Sequence, residues 1–164
     1  MKFKLATLAL ASLFAVGAQA NTTDWGVHDA LELGVSLTPV GAFDDFYLFS
    51  VLSDQTAFST AVANNLTSML GIDGGTVELF KEAGAVDTSE GSFNFSGLTG
   101  NISHAFGTLS AGNYYYEVTG TGTGAMGGFY SISSSVSPIP EPQTYALFVG
   151  GLVGIGFMLR RRQN

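Results

Sequence analysis

Gly41-Ala42-Phe43-Asp44-Asp45-Phe46-Tyr47-Leu48-Phe49 is the stretch whose reading decides the fold class. Its apolar residues recur with period two, which is the repeat of a β-strand and not of a helix. Phe43, Asp45, Tyr47 and Phe49 share one face, and Phe46 and Leu48 share the other. A carboxylate set among three aromatic rings is costly unless something pairs with it. Two readings are open for Asp45: a ligand for Ca²⁺, or an acceptor of N–H bonds at the start of a strand. Its neighbour Asp44 points to the opposite face, so the two cannot act as a carboxylate pair by themselves.

The same period extends outward along the chain. Leu31, Leu33, Val35 and Leu37 alternate onto one face of the preceding segment. Thr76–Phe80, Ser92–Phe95, Asn113–Val118 and Gly128–Ser133 are further candidate strands. The 56–70 segment reads as strand followed by loop. Turn compositions separate these segments, among them Pro39-Val40-Gly41, Asp73-Gly74-Gly75 and the Gly-rich run from Gly120 to Gly128. The expectation is an all-β domain over residues 21–130, a jelly-roll-like β-sandwich of about seven or eight strands. Residues 131–142 carry Ser133-Ser134-Ser135, Pro138 and Pro140, a composition expected to form an exposed, extended linker.

Both ends of the 164-residue chain differ in kind from this body. Lys2 and Lys4, the apolar run Leu5–Val16 and the small-x-small triplet Ala18-Gln19-Ala20 follow one another in the order of a secretory signal peptide. Residues 1–20 are therefore expected to be a signal helix, cleaved after Ala20 so that the mature chain begins at Asn21. Between residues 21 and 142, Lys81 is the one lysine or arginine against thirteen acids, a net charge of −12 with histidine neutral. Such a body has nothing with which to neutralise phosphates, which excludes nucleic acid and anionic membrane surfaces as partners. The absence of cysteine excludes thiol catalysis, cysteine-based zinc sites and disulfide staples, so packing alone must hold the exported domain together.

At the other end, Tyr145–Leu159 is an apolar run of 15 residues that contains four glycines. As a helix it would be roughly 22 Å long, short of the roughly 30 Å hydrocarbon core. It is thus expected to be a short transmembrane helix within residues 143–164, serviceable for a temporary stay in the membrane. Arg160, Arg161 and Arg162 behind it orient that end to the cytoplasm and stop its transfer.

Pro140-Glu141-Pro142, the Gly-containing apolar segment and the terminal Arg160-Arg161-Arg162 together resemble a PEP-CTERM sorting signal. The resemblance implies a Gram-negative bacterium that makes exopolysaccharide. It also implies an exosortase that cuts near Pro140-Glu141-Pro142. The precursor would sit in the inner membrane with its domain in the periplasm, before transfer to the cell surface, extracellular matrix or biofilm. The implied partners are the exosortase, the secretion machinery, the inner membrane transiently, and exopolysaccharide. Phe43, Asp45, Tyr47 and Phe49 are similar to the signature of the FxDxF family of PEP-CTERM proteins, with Tyr47 where the third position is Phe. Phe106–Thr121, with Leu109, Gly112 and Tyr114, is similar to a strand motif of that family and of secreted jelly-roll domains.

Residues that could carry chemistry are sparse. His28 and His104 lack the i, i+4 partner of a helical metal site, and no Gly-x-Ser-x-Gly elbow or nucleophile–base–orienter set stands out. The expectation is a non-enzymatic protein with no catalytic residue and no required cofactor. A competing reading is a carbohydrate- or Ca²⁺-binding module. In it, Asp45 and Asp73 would serve a cation, and Trp25, Tyr114, Tyr115, Tyr116 and Tyr130 would be the rings available to stack on sugars. A third reading, a secreted hydrolase, needs an acid pair brought together from distant positions.

Overall fold

The computed structural model describes residues 19–63 and 68–138, together with helical residues 147–153, 155 and 158. Nine strands form among them: β1 (Gln19–Val27), β2 (Leu31–Thr38), β3 (Gly41–Val51), β4 (Gln55–Ala63), β5 (Ile72–Lys81), β6 (Thr88–Phe95), β7 (Asn101–Leu109), β8 (Gly112–Gly122) and β9 (Gly128–Pro138). They make two sheets, one of order β1-β3-β8-β5-β6 and one of order β2-β9-β4-β7. The antiparallel pairs β2–β9, β3–β8, β4–β7 and β5–β6 are nested, as if one long hairpin from β2 to β9 had been rolled up. β1 lies outside this nest and joins the edge of the first sheet parallel to β3. The all-β sandwich expected from the alternation is what forms, with nine strands in place of seven or eight.

The two sheets contribute unequal side chains to the core. The five-stranded sheet sends in Phe43, Tyr47, Phe49, Tyr114, Tyr116 and Phe95, whereas the other supplies Ala57, Ser59, Ala61, Ala63 and Ser134 beside Tyr130 and Ile132. Sheets packed about 10 Å apart leave room for large residues on one side only where small ones face them. That complementarity accounts for three features that the sequence pattern did not show. Residues 131–138 are not a linker: they belong to β9, which pairs with β2 on one side and β4 on the other, and Ile132, Ser134 and Val136 are buried. The serines there are small because tyrosine rings fill the space opposite.

Second, the Leu31, Leu33, Val35 and Leu37 face points outward, with exposures from 56% to 73%. The inward face of β2 is instead Gly34 and Thr38, because a Cβ at Gly34 would lie 2.4 Å from Cε1 of Tyr47. Third, Tyr114, Tyr116 and Tyr130 do not reach the surface, since β8 is central and its odd–even pattern turns Tyr114 and Tyr116 into the core.

Residues 1–18 of the expected signal peptide, the Pro140-Glu141-Pro142 triplet and Arg160–Arg162 lie outside the described residues. No helix among the described residues is long and apolar enough to cross a membrane.

Candidate functional site

Three arrangements place polar or aromatic groups where they could act. The first surrounds Asp45, which is 4% exposed on the inward face of β3. Tyr130 on β9 donates its hydroxyl to Asp45 Oδ2 at 2.6 Å, and the Tyr47 and Tyr130 hydroxyls meet at 3.1 Å. Asp45 Oδ1 accepts the backbone N–H of Asn21 on β1 at 3.2 Å. Burial, and then the electrostatics of Tyr47 and Asp45, push the Tyr130 hydroxyl far above its ordinary range. Tyr130 therefore acts as a fixed donor to the carboxylate. Tyr47 is raised as well, chiefly by burial. Phe43, Asp45, Tyr47 and Phe49 thus form one side of the core, with Phe43 stacked on Tyr130 at 5.7 Å and Phe49 on Tyr114 at 5.8 Å.

The second arrangement is a buried polar chain joining residues 106 positions apart. His28 Nε2 lies 2.8 Å from Ser134 Oγ, and Ser134 Oγ lies 2.8 Å from the Tyr116 hydroxyl. His28 Nδ1 meets the Asp29 carbonyl oxygen. One direction of donation satisfies every member: Tyr116 O–H to Ser134, Ser134 O–H to Nε2, and Nδ1–H to the carbonyl. Burial raises the Tyr116 hydroxyl to about 12, so it remains protonated and donates. A serine–histidine contact of this length resembles a nucleophile and its base, but Ser134 is wholly buried and the orienting group is a backbone carbonyl. No substrate can reach the hydroxyl, so the chain acts as a polar tie across the core. His104 instead stacks on Phe93 at 5.4 Å and meets Phe106 edge-on at 4.8 Å.

The third lies on the outer face of the five-stranded sheet. Phe46, Tyr115 and Phe80 make a half-exposed aromatic strip, with Phe80 stacked on Tyr115 at 5.1 Å and Phe46 at 6.0 Å. Alongside it run Asp44, Glu117 and Glu78, and Glu78 and Glu117 are directly opposed across β5 and β8. Partial burial and the neighbouring acids raise the carboxyls of Asp44 and Glu117. Asp44 Oδ1 is buried without a hydrogen-bond partner. Tyr115 donates its hydroxyl to Asp87 at 3.0 Å.

Of the residues singled out in the sequence, Asp45 and Asp73 are not brought together: Asp73 is exposed on β5 and accepts the N–H of Gly74, while Asp45 faces the core. No group of three His, Cys, Asp or Glu residues that could hold a metal ion occurs among the described residues. Of the five rings expected to be available to sugars, Trp25 is half-buried against Tyr47 at 5.1 Å and Tyr115 alone lies on the aromatic strip. The sequence signal that would have separated these rings is strand parity: Tyr115 falls between Tyr114 and Tyr116 on β8. Nothing in the sequence pairs His28 with Ser134, or Asp45 with Tyr130.

The expected signal-cleavage residue Ala20 is exposed and lies in β1 opposite Asp44, while Ala18 is outside the described residues. At the other end β9 runs to Pro138, so only Ile139 separates the sandwich from Pro140.

No curated protein matches the chain. Among solved structures, the pre-peptidase C-terminal domain of a Bacillus anthracis collagenase is similar at 19% identity. The match covers 74% of this chain and 97% of that one, with a TM-score of 0.45. Aeromonas hydrophila PliG, a periplasmic inhibitor of g-type lysozyme, is similar at 14% identity over 72% of this chain and 99% of its own, with a TM-score of 0.38. Residues 138–162 match the PEP-CTERM protein-sorting motif, and the chain therefore ends in the signal of an exported protein that an exosortase processes.

Proposed function

We propose that this protein is a non-enzymatic component of the cell surface or extracellular matrix. Its signal peptide is removed after Ala20, and its sandwich is the cargo of the C-terminal sorting segment. The observation that carries this reading is the sorting motif at 138–162, which begins where β9 ends. Arg160–Arg162 hold the precursor with its acidic domain outside the inner membrane, and the exosortase cuts near Pro140-Glu141-Pro142. The nested pairing of β2 to β9 supports the jelly-roll reading of the sandwich. The positions of Phe43, Asp45, Tyr47 and Phe49 in its core support membership of the FxDxF group. Sealing of the His28–Ser134 pair favours a role without catalysis. Intact-mass measurement on surface-derived protein tests the proposal: a mass ending near Pro142 is expected, and a mass that includes Arg160–Arg162 would overturn it.

A second reading is favoured by the strip of Phe46, Tyr115 and Phe80 beside Asp44, Glu117 and Glu78. Aromatic faces stack on pyranose rings while carboxylates accept from sugar hydroxyls. The three acids restrict such a ligand to a neutral or cationic polysaccharide of the matrix, since an anionic one would be repelled. Titration calorimetry of the exported protein with the host's exopolysaccharide should give binding that Tyr115→Ala weakens about tenfold. Equal binding by the variant would remove this reading.

A further inference from the structure

Asp45 presents a buried carboxylate for which the body of the protein supplies no side-chain cation. Lys81 is the one lysine or arginine between residues 21 and 142, and it is engaged elsewhere. Its Nζ bonds to Ser110 Oγ at 2.5 Å and lies 5.5 Å from the centre of the Tyr114 ring. Asp45 Oδ2 takes the Tyr130 hydroxyl, while Oδ1 takes the backbone nitrogen of Asn21. That nitrogen belongs to the first residue of the mature chain when the signal is cut after Ala20.

We infer that Asp45 is the seat of the mature N-terminus: signal cleavage creates an α-ammonium on Asn21 that pairs with Asp45 and fixes β1 to the sandwich. The inference rests on cleavage between Ala20 and Asn21, as proposed above. Hydrolysis of that peptide bond by the signal peptidase consumes one water. It leaves a carboxylate on Ala20 and an amine on Asn21, and the amine takes a proton from solvent at neutral pH. A single N–H donor 3.2 Å from Oδ1 thereby becomes a cation with three donors at the same place. The exchange requires no rearrangement of β3, because Asn21 already stands opposite Asp45 in the β1–β3 register.

A cleft of about 300 Å³ between the starts of β1 and β3 and the segment from Val35 to Pro39 gives the ammonium room to turn its other protons toward water. Gln19 and Ala20, which now line this cleft, leave with the signal. Removal of those two residues shortens the ladder by two positions, and the new ion pair replaces what the ladder loses. Only a chain cut between Ala20 and Asn21 carries a cation at Asp45.

The test uses the exported, processed protein. Mass spectrometry first reads its N-terminal residue, and the same sample is then labelled with an amine-reactive acylating reagent across pH 6–10. Only two amines compete in the processed body, the α-amine and Lys81, so Lys81 is the internal reference. Asp45 is in contact with the α-amine, the Tyr130 and Tyr47 hydroxyls lie behind Asp45, and Asp44 and Glu117 interact on the outer face of the same sheet. An ammonium against a carboxylate holds its proton to higher pH, by about one unit, and reacts about tenfold more slowly at pH 7.

The expected result is an α-amine about tenfold slower in the wild type than in Asp45→Asn, with Lys81 unchanged. Should that variant not be exported, the wild-type α-amine is compared before and after unfolding in urea, where release from Asp45 should speed it by a similar factor. A start at Asn21 with equal rates in both comparisons overturns the ion pair alone. A start at any other residue overturns the cleavage reading and the ion pair together.

Discussion

Replacing Ser134 by Ala tests whether the buried chain from Tyr116 to His28 ties the two sheets together. The substitution removes one oxygen from a wholly buried position and leaves almost no cavity, so the cost is one of hydrogen bonding. His28 Nε2 loses its donor at 2.8 Å at a buried position. An orphaned buried polar group costs about 1–3 kcal/mol, and about 2 kcal/mol is expected here. The Tyr116 hydroxyl is less affected, because Ser59 also lies within hydrogen-bonding reach of it. Ser59→Ala alone should therefore cost little, about 0.5 kcal/mol, since Ser134 still accepts from Tyr116. With both serines gone the hydroxyl has no partner, so the double variant should cost about 1 kcal/mol more than the sum of the two single variants. Urea unfolding followed by the fluorescence of Trp25, the single tryptophan, reads all four proteins on one scale. Strict additivity, or a Ser134→Ala cost under about 0.5 kcal/mol, would refute the argument that the chain is a satisfied, sealed network.

Gly34→Val should lower stability by about 2 kcal/mol, and the melting temperature by roughly 8 °C, because its Cβ would lie 2.4 Å from a Tyr47 ring whose hydroxyl is held by Tyr130. Leu33→Lys should change stability by less than about 0.5 kcal/mol by thermal unfolding, since Leu33 is 67% exposed. Glu117→Gln should stabilise the protein at pH 7 by a few tenths of a kcal/mol after solvent screening. The sign follows from the raised carboxyls: wild-type folding is favoured while Glu117 and Asp44 are protonated, and that contribution is lost as pH rises from about 4 through their folded values. Urea unfolding from pH 4 to 7 should accordingly show a smaller loss in Glu117→Gln than in the wild type.

Much of the sheet structure was legible because alternation is a local property. The segments around Phe43–Phe49, Thr76–Phe80, Ser92–Phe95 and Asn113–Val118 all lie within observed strands. The alternation of Leu31 to Leu37 gave a strand but not its orientation. Period two says that two faces differ without saying which one meets the core, and here bulk on the opposite sheet forced the glycine inward. The serine run of β9 was illegible for the related reason that a strand can be polar and small when its partners are large. Composition assigned that run to a linker, whereas the ladder on both its sides makes it central. The buried partners of Asp45 and His28 lie 85 and 106 residues away, beyond the reach of any local pattern.

By itself, the sequence determined that the chain carries the sorting signal of an exported protein, because such a signal is a linear feature that a processing enzyme reads in extended chain. Tertiary structure alone decided which side of each strand is inside, that residues 131–138 belong to the sandwich, and that Asp45 and the nitrogen of Asn21 share one place. Those outcomes depend on the volumes and hydrogen bonds offered by the facing sheet. Packing assigns them between residues that the chain itself keeps far apart.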